Sequence, residues 1–182
     1  MKRRLLFSLV GAIIIFGWQF LSFAFPNFHK SASTFTPAQD EILLKLQELG
    51  LTEGMYFLGQ PDPSLSSEDQ SAAMDAMEGK SWAVINFHES NTMNMALLMI
   101  TGFVVCFLIS FLLYWVFMQQ KNPVLINRTL IALTIGLIGF LFSPYTKFIW
   151  YREPDIFAYV ADAIIPWIIL GFVGHKMVKV QE

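Results

Sequence analysis

Long apolar stretches, scarce charge and an uneven spread of lysine and arginine predict a mainly α-helical membrane protein. The expected architecture is a bundle of four transmembrane helices. A small extracytoplasmic α+β insertion lies between the first and second. Of the 182 residues, 55% are hydrophobic and 14% are charged, whereas a soluble domain carries about 25% charged residues. A net charge of −2 offers no basic footprint for nucleic acid. One cysteine, Cys106, excludes an internal disulfide and a CxxC redox pair.

Crossing the bilayer core takes about 20 helical residues. Residues 5–25, 95–118, 124–143 and 156–174 supply four such runs. Helices are expected because lipid offers no partner to a free backbone N–H or C=O. The third run carries Asn127 and Arg128 near its start, and the fourth contains Asp162 and Pro166. The chain thus divides into a first helix (1–25), an insertion (26–94) and a last part with helices two to four (95–182).

Orientation follows from the cations. Lys2, Arg3 and Arg4 precede the first span, Lys121 and Arg128 lie at the second connection, and Lys176 and Lys179 follow the fourth span. They share one side only if both termini are cytoplasmic, as the positive-inside rule requires. The insertion then lies outside, with ten acidic residues against Lys30, Lys45 and Lys80, a net of −7. Residues 144–155 read as a short outer turn whose Tyr145, Trp150 and Tyr151 suit an interface belt. The N-terminus also has features of a secretory signal, with MKRR, an apolar run and Ser22-Phe23-Ala24. That run is longer than the usual h-region of about 7–15 residues. Trp18 and Gln19 also interrupt it near the cleavage position, so an uncleaved span is expected.

Within the insertion, Thr36-Pro37-Ala38-Gln39 reads as a capping box with proline in the first turn. Ile42, Leu43, Leu46 and Leu49 then form an apolar stripe at helical spacing, and Gly50 is a stop. Residues 55–58 read as a strand ahead of a turn at Pro61-Asp62-Pro63. Ser67-Glu68-Asp69-Gln70 reads as a second capping box, opening a helix that Gly79 ends. Residues 82–88 read as a second strand, expected to pair with the first.

Asp162 is the leading site candidate, because an ionisable side chain inside a span is costly and marks a functional site or a buried partner. It lies six residues into its span, roughly 9 Å deep at the helical rise. Gln19 and Thr101 lie at matching depth on the first and second spans. Gln19, Thr101 and Asp162, with His88 at the mouth, therefore define a candidate ligand-binding layer for a proton, a cation or a polar group. The alternative is a hydrogen-bonded lock between helices. His88, Met93, Met95 and Met99 form a weaker candidate metal set, since imidazole and thioether suit Cu(I). Methionine also fills cores adaptably. No cofactor is expected, and His29 and His88 are poorly placed for haem. On the third span, Ala132, Gly136, Gly139 and Ser143 put small residues along one face, for packing within the chain or for self-association.

Six segments occur in order: IFGWQFLS (15–22), TPAQDEIL (36–43), EGMYFL (53–58), GKSWAVINFH (79–88), PYTKFIW (144–150) and DAIIPWIILG (162–171). Together they resemble a group of small four-span bacterial inner-membrane proteins of uncharacterised function. The resemblance implies the topology and a bacterial inner membrane. It brings no catalytic, cofactor or binding residue with it.

The sequence contains no Walker loop, GxGxxG, HExxH or GxSxG. The expected role is therefore non-catalytic, an accessory or envelope-associated interaction subunit. Its partners are the lipid bilayer and another membrane protein or a second copy. The alternatives are transport or binding through the Asp162 layer and copper handling.

Overall fold

The computed structural model describes residues 1–25, 27–121 and 123–179. Pro26, the expected first residue of the insertion, and residues 180–182 at the end of the last expected domain lie outside them. The elements in chain order are α1 (Lys2–Phe23), α2 (Gln39–Glu48), β1 (Gly54–Leu58), α3 (Ser67–Asp75), β2 (Ala83–Phe87), α4 (Met95–Met118), α5 (Leu125–Phe142), α6 (Pro144–Tyr151) and α7 (Ile156–Met177). The protein is mainly helical with a small two-stranded sheet. Four segments are long and apolar enough to cross a membrane: α1, α4, α5 continued by α6, and α7.

The chain forms two compact units. One comprises Met1–Thr34 and the chain from Met93 onward, and the other is Phe35–Thr92. In the first, close backbone contact runs in the order α4–α1–α7–α5. Small residues make that approach possible. A side chain at Gly11 of α1 would collide with Ser110 of α4, and its Cβ would sit 3.2 Å from Leu170 of α7. Gly136 of α5 lies under Ala163 and Trp167 of α7, and Gly171 of α7 lies against Thr129 of α5. The buried residues of α4 (Cys106, Ser110, Leu113 and Phe117) recur every three or four positions, so one stripe faces inward. Phe7, Phe117 and Leu170 are fully buried. The Phe7 ring meets Phe117 edge-on at 5.9 Å. Along α1 this apolar core runs from Phe7 through Ala12 to Ile15.

The expected outer turn is largely helix. Pro144 opens α6 in the first turn, where its missing N–H costs nothing, and Lys147 N–H bonds the Ser143 carbonyl at 3.0 Å. Aromatic residues 145, 148, 150 and 151 thus ride on a helical turn. Arg152 (φ 52°) and Asp155 (φ 69°), both left-handed, then turn the chain into α7. Pro166 lies within α7, which continues through it.

In the second unit the expected order of helix, strand, helix, strand is observed. The strands pair antiparallel, from Gly54 opposite Phe87 to Leu58 opposite Ala83. Both helix starts differ from the expected ones. Thr36 Oγ1 accepts from Ala38 N–H at 3.3 Å, which makes a local turn, and α2 begins at Gln39 without a side-chain cap. Ser66, not Ser67, caps α3. Its Oγ accepts from Asp69 N–H at 3.2 Å and donates to the Asp69 carboxylate at 2.6 Å. Asp69, three positions on from Ser66, thus meets the capping hydroxyl with both its N–H and its carboxylate. Gln70 instead reaches back to the Leu65 carbonyl at 2.9 Å. Of this unit's apolar residues only Phe87 is buried. The α2 stripe stays open, with Ile42, Leu43 and Leu49 at 47%, 49% and 73% exposure.

Candidate functional site: the Asp162 cluster

Asp162 projects from the second turn of α7 towards the Phe23 end of α1. Its Oδ1 accepts from Trp18 Nε1–H at 2.8 Å and from Ser22 Oγ–H at 2.6 Å. Its Oδ2 lies 2.9 Å from His29 Nε2. Trp18 and Ser22 converge because residues four apart share a helix face. His29 arrives from the segment after α1. Asn27 adopts a left-handed conformation (φ 60°), and Phe28 N–H bonds the Ser22 carbonyl at 2.7 Å. The chain thus folds back over the end of α1. The short 3₁₀ turn Lys30–Ala32 follows, and Ser31 Oγ–H donates to the Asp155 carboxylate just ahead of α7. These contacts explain why residues 27–34 belong with the long helices.

Aromatic rings wall the cluster. Phe23 stacks on the His29 imidazole with centroids 3.9 Å apart and planes within 4°. Tyr159, one turn before Asp162, meets the same imidazole edge-on at 4.6 Å, and Trp18 stacks on Phe28 at 6.1 Å. The His29 side chain is 2% exposed and that of Asp162 is 20% exposed. A carboxylate accepts only, so His29 donates through Nε2–H, and Nδ1 is then the acceptor in the neutral ring. That nitrogen is buried without a partner among the described residues.

This is not a nucleophilic triad. Ser22 donates to the carboxylate rather than to an imidazole, so no base activates its hydroxyl. The arrangement instead holds an acceptor between three donors from two chain segments. Such charge-assisted bonds are the strong ones.

Asp162 is thus central, but Gln19 and Thr101 are not its partners. Gln19, about 100° round the helix from Trp18, faces α4 and accepts from Cys106 Sγ–H at 3.5 Å. Thr101 is exposed on α4. His88 belongs to the Phe35–Thr92 unit, where its Nδ1 lies 3.0 Å from exposed Glu53. Met93, Met95 and Met99 belong to the helical unit. Met95 and Met99 line a cleft of about 520 Å³ with Phe16, Gln19, Phe20, Phe23 and Ala24. Among the described residues no group of three or more His, Cys, Asp or Glu side chains is placed to hold a metal ion.

Of the small-residue stripe, Ala132 and Gly136 are buried between α5 and α7, whereas Gly139 has nothing around its Cβ position and Ser143 is exposed. Depth counting from Asp162 leaves rotation about each helix open, and so it brings in Gln19 and Thr101 and misses the contacts with Trp18, Ser22 and His29 and the Tyr159 ring beside them. The spacing of Trp18 and Ser22 by one turn was the available signal. Away from this cluster, Arg128 is also missed: it is 1% exposed. Its Nη1 donates to the Gly174 carbonyl at 2.5 Å, and its guanidinium lies 5.3 Å from the Phe117 ring. A cation at the C-terminal turn of α7 suits the helix dipole. Comparison with protein families, with curated proteins and with solved structures finds no match.

Proposed function

We propose that this chain is a non-catalytic interaction subunit of a bacterial inner membrane, with both termini cytoplasmic and the Phe35–Thr92 unit outside. The observation that supports this reading is the uncovered face of α2. Ile42, Leu43 and Leu49 are each about half exposed or more, in a unit whose strand residue Phe87 is buried. An apolar stripe on a folded, acidic unit fits a protein partner with an apolar groove and a basic rim. In this reading the Asp162 cluster fixes the segment that leads from α1 to that unit. Both carboxylate oxygens are engaged by the chain's own donors.

Photo-crosslinking in native membranes tests the proposal. A crosslinker at position 42 or 49 is expected to give one discrete protein adduct, and one at the acidic positions 41 or 48 is not. Adducts only to lipid, or equal labelling from both sets of positions, overturn it.

The buried, unpartnered His29 Nδ1 favours one second reading, a proton-binding site at the Asp162 cluster. Charge-neutral replacement by His29→Gln would then alter proton uptake in reconstituted vesicles. Unchanged uptake in that variant excludes it.

A further inference from the structure

We infer that the cleft between the Phe23 end of α1 and the Met95 end of α4 holds one acyl chain of a diacyl glycerolipid, with Gln19 donating to its ester carbonyl. This inference rests on α1 and α4 lying in a bilayer. It is independent of the interaction role proposed above.

The argument begins with Gln19. Its side chain is exposed on a membrane-length helix, where the surroundings are hydrocarbon. The amide oxygen accepts a weak S–H bond from Cys106 at 3.5 Å. The amide nitrogen, with two N–H donors, has no partner among the described residues. Donors facing hydrocarbon are expensive to leave unpaired. An acceptor must therefore come from outside the chain. Gln19 lies four residues before Phe23, the last residue of α1. At the helical rise this puts the amide about 6 Å inside the end of the helix. Ester carbonyls at the headgroup boundary are the acceptors a bilayer brings to such a depth.

The shape of the cleft matches that ligand. It measures about 520 Å³, within the range of small-molecule sites. Its walls are Phe16, Phe20 and Phe23 on one helix and Met95 and Met99 on the other. Exposures of 57% for Phe20, 68% for Met95 and 46% for Met99 leave it open along its length. Methionines adapt to a flexible chain more readily than branched side chains do. One polar group in an otherwise apolar groove fixes the ligand's register. Phe23 stacks on His29, so its ring separates the cleft from the Asp162 cluster.

The test uses the purified full chain in nanodiscs of a diacyl phosphatidylcholine or of its dialkyl ether analogue, which has the same headgroup and no ester carbonyl. Retained lipid is counted by native mass spectrometry after release from the disc. The wild type is expected to retain one diacyl lipid and to lose it at least about tenfold more readily as the ether analogue. Gln19→Leu is expected to abolish that discrimination, holding both lipids equally weakly. Met99→Trp fills the groove while leaving Gln19 in place, and it is expected to lose the diacyl lipid too. It carries the test if Gln19→Leu fails to fold. Equal retention of the two lipids by the wild type, or undiminished retention by both variants, overturns the inference.

Discussion

His29 and Asp162, 133 positions apart in the chain, meet at 2.9 Å. One comes from the segment that leaves α1 and the other from the second turn of α7. The contact joins the segment that follows α1 to the last long helix. Trp18 and Ser22 complete the arrangement by occupying the second carboxylate oxygen. Removing the carboxylate strands three donors at once. Asp162→Ala is therefore expected to destabilise the protein by about 1–3 kcal/mol for each donor left buried without an acceptor. His29→Ala, which leaves two donors on the carboxylate, is expected to cost less. Thermal unfolding in a mild detergent checks both. Equal stability of Asp162→Ala and wild type would show that the cluster does not hold α1 to α7.

Asp162 was legible because a carboxylate inside an apolar run stands out without any structure. Its partners were not. Depth along a helix can be counted from sequence, but rotation depends on which face each helix turns to its neighbour. One step of 100° separates Trp18, which bonds Asp162, from Gln19, which turns to Cys106. His29 was hidden for another reason. It reaches the site by a left-handed residue at Asn27 and a backbone bond from Phe28 to Ser22, which no periodicity encodes. The four long helices and the paired strands were readable from hydrophobic pattern alone. The order α4–α1–α7–α5 was not, since α1 and α4 are separated by the whole Phe35–Thr92 unit and hydrophobic pattern does not say which spans are neighbours.

Arg128 reads in sequence as one more cytoplasmic cation, yet it is 1% exposed and bound to the Gly174 carbonyl. Arg128→Ala removes a hydrogen bond from a charged donor, which is worth about 1.5–3 kcal/mol. Arg3, which is exposed, is expected to shift stability by no more than about 0.5 kcal/mol when changed to alanine. Hydrogen exchange checks the location of the effect. Protection of the amides near the C-terminal end of α7 should fall in Arg128→Ala and stay unchanged in Arg3→Ala.

The turn between β1 and α3 gives a pH prediction. Ser64 N–H donates to Asp62 Oδ1 at 2.8 Å, and this bond holds the carboxyl below its ordinary value of 3.8. A carboxyl whose folded value is depressed stabilises the fold above its unfolded value. That contribution is lost as the pH falls through the folded value. The turn is thus expected to stay closed at and above pH 3.8 and to loosen only below it. An NMR titration of the Asp62 carboxyl and the Ser64 amide should show the two moving together with a midpoint under that value. In Asp62→Asn the Ser64 amide should lose its transition. A midpoint at or above 3.8 would count against the bond.

Gly136 and Gly139 look alike in sequence, both on the small-residue face of α5, but they sit in different surroundings. A side chain at Gly136 would overlap the Ala163 carbonyl and the Trp167 ring, whereas one at Gly139 meets nothing within 4 Å. Gly136→Leu must therefore push α5 away from α7, an overpacking cost of up to about 3 kcal/mol. Gly139→Leu is expected to leave the monomer's stability within about 0.5 kcal/mol. The pair also separates packing from self-association. If copies of the chain meet along this stripe, Gly139→Leu breaks the dimer without unfolding the monomer, because that glycine, unlike Gly136, is open to a neighbour's backbone. Thermal unfolding and light scattering of the two variants in the same detergent read both quantities. A loss of stability in Gly139→Leu equal to that in Gly136→Leu would mean that the open face of α5 is covered within the chain.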